Sequence, residues 1–139
     1  MFVKRMIIIS ITMIISFFSY SALAYRKVDR IVVDLSDHRF YAYQNGRVVR
    51  SGLISGGSPG RRTVTGNFRI YHKRGSECYS NKFKSHMPYC SFFYKGFAIH
   101  GHQYVPRYHA SHGCVRMYLR DAIWLYKYAP IGTPITVRH

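Results

Sequence analysis

The sequence predicts a single, mainly β domain with one helix. Three observations support this fold class. Apolar segments with β-branched or alternating residues recur along the chain, an Asn-Gly pair sits between two of them, and only one segment has helical spacing. The length of 139 residues suits one domain, and neither an internal repeat nor a linker is visible.

The first half of the predicted sheet comes from four segments that are β-branched or alternate between apolar and polar residues. These segments are residues 30–35, 39–43, 47–54 and 67–72. Asn45-Gly46 lies between the second and third, and this pair is the strongest short signal for a β-hairpin. Residues 56–60 are Gly- and Pro-rich and are predicted to form a loop.

The second half is predicted to contain three short strands, a long surface excursion and the helix. The strands are residues 91–94, 97–100 and 134–138. Residues 73–88 are polar, and we expect them to cross the surface without packing of their own. Residues 101–113 have no periodicity and are predicted to be loop. The helix is predicted over 118–128, with Pro130 marking its end.

Residues 1–24 have the pattern of a secretory signal peptide. Two basic residues precede an apolar stretch at 6–18, and an Ala-Leu-Ala sequence ends at residue 24. We therefore expect a mature domain of residues 25–139, exported to the periplasm or cell envelope, with no stable membrane insertion after cleavage. An uncleaved N-terminal anchor is the alternative.

Charge and composition indicate an anionic target. The formal net charge is +16, while a hydrophobic fraction of 47% excludes a wholly disordered polycation. Such a charge would attract anionic cell-envelope polymers. One competing hypothesis is a non-catalytic basic polyanion-binding protein, because Arg61-Arg62 and Lys82-Phe83-Lys84 place basic residues near aromatic ones. Export argues against nucleic acid as the partner.

The three cysteines, Cys78, Cys90 and Cys114, have different sequence surroundings. Outside the cytoplasm an odd number suggests one disulfide and one free thiol. Cys78 and Cys90 are separated by a polar loop that is long enough to close, so we expect them to pair. Two independent buried thiols are the alternative, and Cys114 is left free.

The chemistry is concentrated between residues 100 and 116. Four histidines lie there with Cys114, namely His100, His102, His109 and His112. A thiol becomes a nucleophile only as thiolate, which needs a neighbouring base or cation. Gly113 would allow a tight turn, and the predicted helix would offer Cys114 backbone N–H groups that lower its pKa. Zinc bound by these histidines and Cys114 is the competing interpretation.

Two motifs in this window resemble the signature of the L,D-transpeptidase catalytic domain family. They are Ser-His-Gly-Cys-Val-Arg at residues 111–116 and Ile-His-Gly at 99–101. Further segments match in the same order, so the resemblance extends over nearly all of 30–138. It implies an L,D-transpeptidase-like β-sandwich or barrel of mixed sheets, with one main helix after the catalytic cysteine loop. Val64 stands where the family commonly has a proline.

The resemblance also implies roles for individual residues. Cys114 would be the nucleophile, His100 its base, and Arg116 a forked donor for a substrate carboxylate. Oxyanion and supporting roles fall to Ser111, His112, Gly113 and Gly101. No carboxylate lies between residues 100 and 116, so the Gly101 carbonyl is the expected group that orients the base.

The reaction implied is acyl transfer from peptidoglycan stem tetrapeptides. A Cys114 thioester forms as the terminal D-Ala leaves, and an amine acceptor then takes the acyl group. The acceptor would be a second stem or a lipoprotein lysine, whereas hydrolysis by water would make the protein an L,D-carboxypeptidase. We expect no cofactor and no metal, and a monomer that recognises its substrate through this domain alone.

Overall fold

The computed structural model describes residues 27–139, which fold around one curled β-sheet. The predicted signal peptide lies outside the described residues. The strands are β1 (Arg30–Asp34), β2 (Arg39–Gln44), β3 (Arg47–Ser55), β4 (Gly66–Arg69), β5 (His72–Lys73), β6 (Tyr79–Ser80), β7 (Ser85–His86), β8 (Ser91–Tyr94), β9 (Phe97–His102), β10 (Val115–Tyr118) and β11 (Pro134–Arg138). The helix α1 spans Leu119–Tyr128. Within 27–139 no helix is long and apolar enough to cross a membrane.

The main sheet has nine strands in the order β4-β11-β1-β2-β3-β10-β9-β8-β5. The pairs β1–β11 and β9–β10 are parallel and the others antiparallel, so the sheet is mixed. Its two edge strands, β4 and β5, follow each other in the chain, which means that the sheet curls until its edges meet. This confirms the predicted mainly β fold with one helix.

The sequence pattern explains the strands that form the centre of this sheet. In β1, Ile31 and Val33 are fully buried, as expected for a β-branched strand inside a curled sheet. The β2–β3 hairpin turns at Asn45 and Gly46, whose φ angles of 48° and 73° are both positive. Two consecutive positive φ angles are the requirement of a type I′ turn, so the Asn-Gly signal predicted this hairpin correctly.

The helix packs one face on the sheet and carries a buried charge. Ala122 and Leu125 are buried in the main core. The Asp121 carboxylate, in the first helical turn, accepts a hydrogen bond of 2.8 Å from the Arg50 guanidinium of β3. An acidic residue is favourable at this end of a helix, where backbone N–H groups are unpaired. This ion pair fixes α1 against β3.

Two local predictions were wrong. Residues 115–118 form β10, which separates Cys114 from the start of α1. The Cys114 thiol is therefore not at a helix N-terminus. The alternating Val-Arg-Met-Tyr segment did not predict a strand, because it is short and helical spacing starts immediately after it. The single strand predicted over 67–72 is two strands, because β4 pairs with β11 at one edge of the sheet while β5 pairs with β8 at the other.

The segment between the first two cysteines, which we call the flap (residues 78–90), is more ordered than its polar composition suggested. A disulfide joins Cys78 to Cys90, and β6 and β7 pair between them. Both cysteines are buried with Met87 and Ala98 in a small second core. The predicted pairing of these cysteines is confirmed, and residues 79–86 between them are exposed or half-buried, so the disulfide anchors the flap rather than packing of its polar tip.

Candidate active site

The register of β9 and β10 places the candidate catalytic side chains on one face of the sheet. In this parallel pair Arg116 lies beside His100, and Val115 lies beside Ile99. Because strand side chains alternate between faces, Cys114 points to the same side as Arg116, while Val115 and Ile99 enter the core. The loop between the two strands thus returns Cys114 to the face that carries His100.

His100 is held as a neutral base. Its imidazole is only 4% exposed, and its Nδ1–H donates a hydrogen bond of 2.8 Å to the Gly101 carbonyl. Since a carbonyl only accepts, this bond fixes the tautomer and leaves Nε2 unprotonated. Burial lowers the pKa of His100 to about 4, and the nearby His102 and Arg116 lower this pKa further. The hydrogen bond to Gly101 raises it and offsets these effects only in part. At neutral pH the ring can accept a proton.

Cys114 is the free cysteine of the described chain, and it rests as a thiol. Its half-buried Sγ donates to the Gly96 carbonyl at 3.6 Å. Burial raises the pKa of the Cys114 thiol, and a backbone hydrogen bond from Ala98 opposes this only in part. The expected lowering by a helix N-terminus is absent because Cys114 precedes a strand. A thiolate at this position would therefore require transfer of the thiol proton to a base.

Ser111 braces the turn that carries Cys114. Its buried hydroxyl donates to the Cys114 carbonyl at 2.5 Å and accepts the Gly113 N–H at 3.0 Å. Gly113 has a φ of 134°, and a Cβ at that position would lie 3.1 Å from the ring of Phe97. Glycine is thus required there by both backbone and space. Gly113 thus supports the turn, and its N–H is already bonded to Ser111.

Neighbouring loop residues lock the same turn from behind. The Ser111 N–H donates to the Gly56 carbonyl at 2.9 Å, and the Ser58 N–H donates to the Ser111 carbonyl at 3.0 Å. The Thr63 hydroxyl donates to the Gly113 carbonyl at 2.8 Å. These bonds leave the turn little freedom, so the backbone of Cys114 is held in one position.

The flap reaches over the candidate active site. Phe83, at its tip, stacks on His112 with ring centroids 4.6 Å apart and an interplanar angle of 4°. Behind the tip, Pro88 accepts the N–H of Gly101 at 2.8 Å, next to the base. Sequence analysis had missed Phe83 as part of this region. The available signal was the position of Phe83 between two lysines, which by itself indicates polyanion binding.

Two cavities meet at Cys114, and the flap residues Phe83 and Met87 line both. The cavity shared with His100 and Arg116 holds only about 30 Å³, which admits ordered water but no substrate group. The cavity on the side of Phe97 holds about 360 Å³. Space for a substrate therefore lies mainly on the Phe97 side, and the flap must shift to admit a group between Cys114 and Arg116.

Arg116 lacks a carboxylate partner within residues 27–139. The ion pairs there join Arg50 to Asp121 and Arg138 to Asp34. Burial lowers the pKa of Arg116, which nonetheless remains charged at any physiological pH. A half-buried guanidinium without an internal counter-charge is suited to a carboxylate from outside.

The four histidines of the motif window do not converge on one point. His100 and His112 line a cavity with Cys114, and His102 shares it. His109 lies elsewhere, with its Nδ1 accepting the Gly56 N–H at 3.0 Å. Across residues 27–139 no group of three or more His, Cys, Asp or Glu side chains is arranged to bind a metal ion. The ligand set that the zinc interpretation required is therefore not assembled.

Comparison with known proteins agrees with this geometry. The family model of the YkuD L,D-transpeptidase catalytic domain matches residues 28–137. No curated protein matches the chain. Among solved structures, an L,D-transpeptidase from Xylanimonas cellulosilytica is 29% identical, with a TM-score of 0.73, covering 82% of this chain and 62% of its own.

Two further solved structures share the fold. An L,D-transpeptidase from Mycobacterium smegmatis is 23% identical with a TM-score of 0.72, covering 82% of this chain and 59% of its own. An LD transpeptidase solved in complex with imipenem is 24% identical with a TM-score of 0.67, covering 77% and 57%. The chain thus spans about three fifths of the length of these structures. With the family model matching most of its length, the chain belongs to the L,D-transpeptidase catalytic domain family.

Proposed function

We propose that the protein is an exported, cysteine-dependent L,D-transpeptidase that acts on peptidoglycan stem tetrapeptides. One observation carries the proposal. A free thiol, a buried neutral imidazole with a fixed tautomer and an arginine without an internal counter-charge line one cavity, on one face of β9 and β10. Membership of the family supports the substrate class.

In the first step Cys114 attacks the carbonyl of the third stem residue. His100 Nε2 takes the thiol proton as the carbon–sulfur bond forms, and the carbonyl oxygen becomes an oxyanion. The Cys114 amide and His112 are the donors we assign to that oxyanion, since Ser111 occupies the Gly113 amide. Collapse of the intermediate breaks the bond to the terminal D-Ala, whose nitrogen receives the proton from His100.

In the second step an acceptor amine attacks the thioester. His100 accepts the proton of the incoming amine and returns it to the sulfur as the carbon–sulfur bond breaks. A side-chain amine of a second stem gives a cross-link, a lipoprotein lysine gives an anchored protein, and water gives a tripeptide. Two charge partners favour an ionised substrate, because Arg116 offers a guanidinium and the chain has a net charge of +16.

The experiment uses purified chain and a disaccharide-tetrapeptide, with products identified by mass spectrometry. Release of D-Ala with a cross-linked dimer supports transpeptidation, and tripeptide alone supports the carboxypeptidase. His100→Gln should abolish turnover, whereas His72→Gln, which alters an exposed histidine on β5, should not.

Three results would reject the proposal. Turnover that persists in Cys114→Ala would exclude the thioester route. Activity that disappears with a chelator and returns with zinc would favour a metal enzyme instead. A chain that binds anionic envelope polymers but releases no D-Ala would support the non-catalytic basic binding protein.

A further inference from the structure

A third cavity lies apart from the two that border Cys114. It holds about 580 Å³, within the range of small-molecule sites in proteins. His38, Arg62, Thr63, Tyr108, His109 and His139 contribute to its wall. It lies beside the turn that carries Cys114, because Thr63, in its wall, donates a hydrogen bond to the carbonyl of Gly113. None of the proposed catalytic steps uses it.

Arg62 and three histidines line this cavity, and no Asp or Glu side chain does. All five Asp and Glu side chains are engaged elsewhere. Their partners are Arg138 for Asp34, Arg50 for Asp121, the Asn45 N–H for Asp29, the Tyr41 hydroxyl for Asp37 and the Gly75 N–H for Glu77. Neither a hydrogen bond nor an ion pair links the Arg62 guanidinium to another residue in the described part of the chain. This exposed guanidinium is therefore available to an anionic ligand.

Two stacked imidazoles form part of the same wall. The rings of His38 and His109 have centroids 4.4 Å apart. His109 is fixed as a neutral ring, since its Nδ1 accepts the Gly56 N–H and burial lowers its pKa. In contrast, Nδ1 of His38 is buried without a hydrogen-bond partner among residues 27–139. A buried polar atom of this kind is costly unless a ligand or a small shift of the ring satisfies it.

We propose that this cavity binds an oxyanion, a carboxylate or phosphate group carried by a sugar- or peptide-sized ligand. Arg62 supplies the charge partner, and a small shift of the His38 ring would bring its buried Nδ1 to the ligand as a hydrogen-bond partner. The apolar parts of the wall, including Tyr108, contact the body of the ligand. Such a mixture of apolar surface with few polar groups is typical of sites that orient small ligands.

The cavity is connected to the candidate active site through a pair of tyrosines. Tyr108 lines its rim, and the Tyr108 hydroxyl lies 2.5 Å from the hydroxyl of Tyr104. Both tyrosines are close enough to Arg116 to act on its pKa, opposing the lowering by burial. An extended anionic polymer could therefore contact Arg116 and the third cavity together. Binding at the cavity does not rest on the proposed function.

The test is an NMR titration of the histidine ring signals of the whole chain. One arm adds glycerol 3-phosphate, and the other adds the disaccharide-tetrapeptide to the Cys114→Ala variant so that no turnover occurs. We expect saturable shifts of the His38 and His109 signals in at least one arm. Stronger binding of the first probe identifies a phosphate ligand, and stronger binding of the second a carboxylate ligand.

Matched variants separate a built site from general attraction to a basic surface. Arg62→Ala should weaken binding about tenfold, as loss of one charged hydrogen bond implies. Arg61→Ala removes the same charge from the adjacent residue, which is equally exposed but does not line the cavity, and should change binding less than about twofold. His38→Asn keeps a residue type that tolerates the φ of 52° and should weaken binding about threefold.

Two results would overturn the proposal. One is the absence of saturable shifts at His38 and His109 with both probes. The other is an equal loss in Arg61→Ala and Arg62→Ala, which would indicate unspecific attraction. Neither readout requires turnover. Anion binding in this cavity can therefore be rejected while Cys114 is still acylated, and it can be confirmed in a chain whose Cys114 is not acylated.

Discussion

Reduction of the Cys78–Cys90 disulfide should destabilise the domain without removing its chemistry. The bond closes a separation of 12 residues, for which the chain-entropy relation gives about 3 kcal/mol. A domain of this size unfolds with an entropy near 0.24 kcal/mol/K, so the melting temperature should fall by about 12 °C. The sulfur atoms remain in the small core after reduction, which isolates the effect of the cross-link from that of packing.

The assay compares thermal unfolding with and without a phosphine reductant in the Cys114→Ala background, where thiol exchange with the nucleophile cannot occur. Cys78→Ala with Cys90→Ala is the control, and its melting temperature should not respond to the reductant. In the native background this double variant should still form a thioester at Cys114 but bind substrate more weakly, because the flap loses its restraint. A change below about 2 °C on reduction, or loss of acylation in the double variant, would refute this reasoning.

Three further predictions concern the catalytic turn and its neighbours. Burial lowers the pKa of His100 to about 4, so its neutral base form persists down to that pH. We therefore expect kcat/KM for acylation to stay level from pH 7 to 5 and to fall only near pH 4. A fall of kcat/KM centred at pH 6.5 would contradict this. Ser111→Ala leaves the buried Gly113 N–H without an acceptor, so the free energy of unfolding should fall by about 1–3 kcal/mol in a denaturant titration, and kcat should fall as well. Unchanged stability would show that this hydrogen bond is unimportant. Arg116→Gln should raise KM about tenfold with a smaller effect on kcat, while Arg47→Gln on an exposed part of β3 should leave both unchanged.

Much of the sheet could be predicted from local patterns. The β-branched run of β1 and the Asn45-Gly46 pair specify their structures within a few residues, and the structure confirms them. The division between β4 and β5 could not be read in this way, since it depends on which distant strands they pair with. For the same reason β10 was missed, because its four residues acquire strand structure by pairing with β9 and β3.

The candidate site shows a similar division between motif and geometry. The motifs identified Cys114 and His100 as candidates, and elimination of carboxylates correctly pointed to the Gly101 carbonyl as the partner of His100 Nδ1. The occupation of the Gly113 amide by Ser111 needs atomic distances that spacing does not provide. Likewise, the stacking of Phe83 on His112 joins residues from separate segments, and neither sequence neighbourhood predicts it.

The central claim is that Cys114 is an acylable nucleophile activated by His100. Intact-mass measurement after incubation with imipenem tests it most directly, because a thioester formed by opening the β-lactam ring adds the mass of the whole inhibitor. We predict one adduct per chain, located on the peptide that contains Cys114, absent in Cys114→Ala and formed much more slowly in His100→Gln. An adduct that persists in Cys114→Ala, or a wild-type chain that stays unmodified, would contradict the account.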